Sequence, residues 1–146
     1  MTRIRTALEN DVPDIRDIYN EAVRNTTATF DMEEKSMEDR LAWFRALDEQ
    51  HPVIVAEADG DVAGFAALKP HSQRPGYRYT AAVAIYVAPK HRRRGIGRAL
   101  LEELLRRGHE AGLHTALALI CGENEASIRL HESLGFEQVG RTREVG

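Results

Sequence analysis

The chain has 146 residues, 42% of them hydrophobic and 29% charged, with 20 Lys and Arg against 23 Asp and Glu for a net charge of −3. That length suits one domain with a buried core, and the acidic balance argues against general nucleic-acid binding, which draws on a surplus of cations. A single cysteine, Cys121, excludes an internal disulfide and fits the reducing cytoplasm; no apolar signal segment opens the chain, and its longest apolar run, 81–88, is too short to cross a bilayer.

Arg3-Ile4-Arg5 alternates like a short strand. Asp11 offers an N-cap with Pro13 just inside it, and Val12, Ile15, Ile18, Tyr19 and Ala22 form a helical stripe. Residues 25–29 read as a loop. Ser36 followed by Asp39 marks the start of a second helix carrying Leu41, Phe44 and Leu47, which His51-Pro52 breaks. Residues 53–56 form a strand, Asp59-Gly60 a hairpin turn, and 62–68 the returning strand.

A polar loop, 70–78, leads to a nearly unbroken apolar run, 79–87, the pattern of a strand covered on both faces. Pro89 ends it. From about Gly95 a helix follows, with Ile96, Leu100, Leu101, Leu104 and Leu105 on one side and Glu102/Arg106 and Glu103/Arg107 as i,i+4 pairs on the other. Residues 115–121 read as a buried strand that takes in Cys121, 124–134 as a helix stopped by Gly135, and 136–139 as a last strand. The order β-α-α-β-β-β-α-β-α-β describes a mixed α/β domain with helices packed on a sheet.

The sharpest local feature is "KHRRRGIGRALLEELL", 90–105. A strand runs through a glycine turn into a helix N-terminus, where unsatisfied N–H groups and the macrodipole favour an anion. Glycine lets the backbone approach a ligand closely, and His91 to Arg94 with Arg98 add positive charge. No G-x-x-x-x-G-K-[ST] string is present, so a P-loop is excluded. Gly95-x-Gly97 is followed by Leu100 rather than a third glycine, which counts against a dinucleotide fingerprint. Coenzyme A, with its pyrophosphate and 3′-phosphate, fits the turn. The plain alternative is a tight strand-to-helix turn with solvated arginines. No aromatic residues interleave with the cations, so a single-stranded nucleic-acid groove is disfavoured.

Arg92-x-x-Gly95-x-Gly97 resembles the acyl-CoA signature of the GCN5-related N-acetyltransferases, and "NEASIRLHESLGF", 124–136, resembles that family's second signature helix. The stretches "IRDIYNEAVRNTTATF" (15–30), "RPGYRYT" (74–80) and "IYVAPKHRRRGIG" (85–97) are most similar to its phosphinothricin and methionine-sulfoximine acetyltransferase branch. The resemblance implies one acetyltransferase domain over 1–146, with helices on both faces of a mixed sheet and a splayed central strand pair.

It further implies that the backbone of Ile85, Tyr86 and Val87 bonds the pantetheine arm of acetyl-CoA. Arg93, Arg94, Gly95, Ile96, Gly97 and Arg98 would hold the pyrophosphate. Asn124 would reach the pantetheine, or cap the last helix, and Ser133 the phosphate end. His131 stands where relatives carry a tyrosine that protonates the departing thiolate, so it is the expected general acid; on residue type alone a lone helical histidine is a surface or core residue. Phe30, Arg74, Tyr77 and Arg78 are expected to hold a small amino-acid-like amine, the arginines gripping its carboxylate or phosphinate, unless they are solvated loop residues.

Two departures stand out. Relatives read Y-R-x-T-x-E before the cofactor strand, with the Glu as base, whereas Ala82 occupies that position here. Glu21 and Glu57 are distant substitutes. The resemblance also implies a further strand beyond Gly146 that pairs with 136–139 and completes a homodimer; either that hairpin is missing from the sequence or a sheet edge stays open. The expectation is an acetyl-CoA-dependent N-acetyltransferase of a small amino acid or analogue, with no metal and no nucleic-acid or membrane partner. The alternatives are an acyl-CoA-binding module with little catalysis and a peptide or protein N-acetyltransferase.

Overall fold

The computed structural model describes residues 2–145. In chain order it contains β1 (Thr2–Thr6), α1 (Val12–Asn25), α2 (Met37–Ala46), β2 (Val53–Ala58), β3 (Asp61–Pro70), β4 (Thr80–Val87), α3 (Ile96–Glu110), β5 (Thr115–Leu117) and α4 (Glu125–Ser133). The five strands form one sheet in sequence order. The first four pair antiparallel, and β5 joins β4 in parallel over only three residue pairs, Thr80↔Thr115 to Ala82↔Leu117.

Helices cover both faces. Along β2 the side chains alternate, so Ile54, Ala56 and Ala58 meet Ile96, Leu100 and Leu104 of α3, while Val53 and Val55 meet Ile15, Ile18 and Tyr19 of α1. Each buried leucine or isoleucine contributes about 1.5–3 kcal/mol, so the two helical stripes fix the layers. Small residues let α3 lie close to the sheet. At Gly64 an added Cβ would stand 2.9 Å from the Tyr86 carbonyl oxygen and 3.1 Å from Leu100 Cδ1.

The turn at Asp59-Gly60 has the two positive φ angles, 54° and 82°, of the expected tight hairpin. The Ser36 hydroxyl accepts the Asp39 N–H at 3.1 Å, as the capping pattern predicts. Asp11 stands at the expected N-cap of α1 but does not cap it with its side chain. Its carboxylate instead accepts the Leu8 N–H at 2.7 Å and two bonds from the Arg5 guanidinium at 2.7 and 2.8 Å. Arg5 also bonds Glu57 on β2, so one guanidinium ties the first strand, its neighbour and the entry to α1.

Four expectations are corrected. The strand expected over 115–121 ends at Leu117; Leu119 is 91% exposed, and Cys121 is half-buried and outside any strand. No strand forms over 136–139, where Val139 is exposed. β4 is half-buried over most of its length rather than covered on both faces, because β5 leaves it after Ala82. On α3, Glu103 pairs with both Arg106 and Arg107, and Glu102 pairs with Arg98 instead of Arg106. None of the helices among the described residues is long and apolar enough to cross a membrane.

Gly64→Ala should lower stability by about 1–3 kcal/mol, because a backbone oxygen cannot retreat from the new methyl group; a shift in urea midpoint at unchanged slope would measure it. Arg5→Ala should cost about 1–3 kcal/mol at neutral pH, since it strands the buried Asp11 carboxylate. The bonds from Arg5 hold the Asp11 carboxyl below the usual carboxylate range, and the arginines hold Glu103 down to about 2. Both contribute stability that is complete above the unfolded carboxylate values of about 4 and is lost as the pH falls through the lower folded ones. Urea titrations between about pH 4 and pH 2 should therefore show falling stability, with a shallower fall in Arg5→Ala.

Candidate active site

The departure of β5 creates the site. Beyond Ala82 the edge of β4 that faced β5 has no strand partner, and a cleft of about 800 Å³ opens there. Ile85, Tyr86 and Val87 form one wall, Asn124, Ser127 and Leu130 of α4 the other, and Gly97 of α3 lies between. The end of α1 and the loop after it, Arg24 to Ala28, close a third side. An added Cβ at Gly97 would point into this space, 3.5 Å from Leu130 Cδ2 and 3.9 Å from Val87 Cγ2.

The turn from β4 into α3 takes the backbone through two positive φ angles, 64° at Arg93 and 77° at Gly95, the N-cap of α3. Nothing lies within 4 Å of a Cβ placed on Gly95. The first amides of α3 have no side-chain cap, as an anion cradle requires.

The side chains around that turn are less free than the sequence suggests. Arg92 donates to the Val87 carbonyl at 3.2 Å and pairs with Glu21 at 3.1 Å. Arg94 pairs with Asp59 at 2.9 Å, and Arg98 reaches Glu102 at 3.1 Å and the Ser133 hydroxyl at 2.9 Å. His91 is not a surface cation: it is buried, with Nδ1 3.0 Å from an Arg94 nitrogen. Arg93 alone of the four arginines at 92, 93, 94 and 98 makes no ion pair or side-chain hydrogen bond among the described residues.

On α4, the Asn124 side-chain oxygen accepts the Ser127 N–H at 3.2 Å, so Asn124 caps the helix while lining the cleft. Ser133 donates to the Leu130 carbonyl at 2.7 Å. His131 is buried, packs edge-on against Phe136 at 5.0 Å, and has Nδ1 2.8 Å from the Ser127 carbonyl oxygen. That oxygen can only accept, so Nδ1 carries a hydrogen, while Nε2 is buried and has no hydrogen-bond partner among the described residues. His131 adjoins Leu130 but does not itself line the cleft.

Of the expected cofactor residues, the structure brings Ile85, Tyr86, Val87, Gly97 and Asn124 to one cleft. Arg93, Arg94, Gly95, Ile96, Arg98 and Ser133 lie outside its lining; Gly95 opens α3 and Ile96 is buried beneath it. The expected substrate residues do not line it either. Phe30 is exposed, Tyr77 packs on His71 at 5.2 Å, Arg78 lies over the Tyr79 ring at 4.7 Å, and Arg74 is exposed. Glu21 and Glu57 are held by Arg92 and Arg5. Sequence reasoning missed the wall formed by 24–28 and by Glu123; the small polar run Asn25-Thr26-Thr27-Ala28 was its one signal.

Known proteins resemble this chain in sequence and in fold. The chain is 39% identical over 144 residues to an L-methionine sulfoximine/L-methionine sulfone acetyltransferase of Salmonella typhimurium, covering 98% of this chain and 84% of that protein. A phosphinothricin acetyltransferase from Sinorhizobium meliloti, solved with AcCoA, superposes with a TM-score of 0.92 at 35% identity, over 95% of this chain and 76% of that one. A ribosomal-protein-alanine N-acetyltransferase from Brucella melitensis superposes with a TM-score of 0.92 at 40% identity, over 94% and 86%.

Gly97→Ala would place a methyl group in the cleft, in ordinary contact with Leu130 and Val87. It should weaken coenzyme A binding by calorimetry about 10-fold or more, the effect of roughly 1.4 kcal/mol, with little change in melting temperature. The open strand edge, the uncapped helix start and the cleft joining them agree with a match to the acetyltransferase (GNAT) family model over residues 13–136, and the chain belongs to that family.

Proposed function

We propose that the protein transfers the acetyl group of acetyl-CoA to the α-amine of a small amino acid or amino-acid analogue of the methionine sulfoximine or phosphinothricin kind. The observation that carries this reading is the unpaired edge of β4 beyond Ala82, facing a cleft that runs toward the uncapped start of α3. An extended pantetheine arm can add to that edge as a strand would, through backbone groups of Ile85, Tyr86 and Val87. The amides of 93–98, with the unpaired Arg93 guanidinium, suit the pyrophosphate. Ser133, already bonded to Arg98, suits the phosphate end. Asn124 has its amide hydrogens left for the arm after its oxygen has capped α4.

Acetyl-CoA supplies the activated carbonyl; the protein must orient it, hold the developing oxyanion and manage two protons. A backbone N–H on the open edge serves the oxyanion. His131 of α4 is the candidate to serve the leaving thiolate. With Nδ1–H fixed on the Ser127 carbonyl, Nε2 is the nitrogen through which it would donate a proton. Support for the amine class comes from the names of the relatives at 35–39% identity. Arg74 and Arg78 remain the candidates for its acidic end, on a loop that must move inward to reach the cleft. We place the enzyme in the cytoplasm as a homodimer; the unpaired Cys121 and the exposed Leu119 and Val139 support this.

A second reading, a peptide α-amine, draws on the Brucella relative's name and on Ala82. A peptide amine, with a pKa of about 8, is partly neutral near pH 7 and needs less help from a base.

Thiol release from acetyl-CoA, measured across amino acids, methionine sulfoximine, phosphinothricin and peptides beginning with alanine, separates the readings. Turnover confined to the free amino acids and analogues is the expected result. Turnover confined to peptides would establish the second reading. Silence with every amine, alongside tight coenzyme A binding, would leave an acyl-CoA-binding module.

A further inference from the structure

The turn that leads into α3 holds one residue other than glycine in the left-handed region, Arg93 at φ 64°. A residue with a side chain is disfavoured there, so its neighbours must hold it. A side-chain bond closes across it: an Arg94 guanidinium nitrogen lies 3.0 Å from Nδ1 of His91. The same nitrogen donates to Asp59 at 2.9 Å, on the hairpin between β2 and β3. His91 ends the short 3-10 turn after β4, where its N–H donates to the Ala88 carbonyl at 3.0 Å, and only 3% of it is exposed.

Counting hydrogens fixes the state of this imidazole. A guanidinium only donates, so Nδ1 accepts and carries no hydrogen. The two bonds use both hydrogens of that Arg94 nitrogen. The imidazole hydrogen is therefore on Nε2, which is buried and has no partner among the described residues. His91 is neutral while it holds Arg94, and Nδ1 is the one place where a further proton can go. A proton there takes the lone pair, breaks the bond and sets an imidazolium against a guanidinium. The carboxylates around the turn already have their cations. Arg94 holds the Asp59 carboxyl below the usual carboxylate range, Asp61 of β3 pairs with Lys90 at 3.0 Å, and Glu21 of α1 pairs with Arg92 at 3.1 Å.

We propose that His91 is a positioning residue whose neutral form, acting through Arg94, holds the turn at Arg93 in its anion-binding shape, so that acid loosens the grip on the diphosphate of coenzyme A. The proposal rests on the acetyltransferase reading, which assigns coenzyme A to this turn. Its sign is opposite to that of a plain charge effect. An imidazolium added beside an anion site would tighten binding in acid, whereas release of Arg94 weakens it.

The test is the calorimetric Kd for coenzyme A between about pH 8 and about pH 5, the interval in which imidazoles take up a proton. A phosphate monoester on the ligand also titrates near pH 6, equally for every variant, so the readout is the ratio of the parent's Kd to a variant's. His91→Asn sets an acceptor oxygen where Nδ1 stands but does not titrate. Arg94→Met removes the guanidinium from an exposed position. Against either variant the ratio should rise about 5-fold or more as the pH falls. Arg94→Met decides the matter even if His91→Asn fails to fold. A ratio constant within about twofold, or one that falls in acid, would overturn the latch. No binding of coenzyme A by the unsubstituted protein at about pH 8 would instead overturn the acetyltransferase reading, and the latch with it.

Discussion

Everything at the site follows from where two parallel strands stop bonding. β4 and β5 share three residue pairs and then part at Ala82 and Leu117. From that point β4 keeps its antiparallel partner β3 through Val87 but loses the other. A strand with one side unsatisfied is normally a liability, because its amides and carbonyls invite pairing with another chain. Here the exposed groups face a walled cleft instead of bulk solvent. The wall is α4 on one side and the 24–28 loop on the other.

The parting has to be held open, and the residues that do so are ordinary. Gly64 lets α3 press on β3, with Leu100 at 3.1 Å from where a Cβ would be. This seats Ile96 and Leu100 in the core and fixes the start of α3 beside the end of β4. Gly97, one turn lower, leaves a gap between Val87 and Leu130. The core therefore positions an amide cluster, and the absence of one side chain keeps the way to it clear.

Much of this was legible in the sequence. The stripe at Val12, Ile15, Ile18, Tyr19 and Ala22 is buried throughout, and the glycine turn falls at a helix start. Those signals are local: periodicity and turn chemistry depend on neighbours in sequence. What failed was non-local. An apolar run such as 115–121 has strand character, but only a partner at hydrogen-bonding distance makes it a strand, and its partner turns away after three residues. The charge around the turn was overestimated for the same reason. Glu21, Asp59 and Ser133, which occupy Arg92, Arg94 and Arg98, lie tens of residues from them in sequence. The bonds from the Tyr19 hydroxyl to Thr29 and Asp31 tie α1 to the loop that follows it, and no spacing rule announces them.

The glycine turn also acts as a mooring point for the molecule. Arg92 is tethered to α1, Arg94 to the β2–β3 hairpin through Asp59, Lys90 to β3 through Asp61, and Arg98 to α4 through Ser133. These lines are mostly solvent-exposed, so dissolved ions weaken them within a Debye length of about 10 Å at 0.1 M salt while leaving the apolar layers alone. A polyanion arriving at the same spot competes for the same guanidinium groups. Ionic strength therefore acts here less on whether the chain folds than on how tautly its four outlying pieces are drawn in around the strand-to-helix corner.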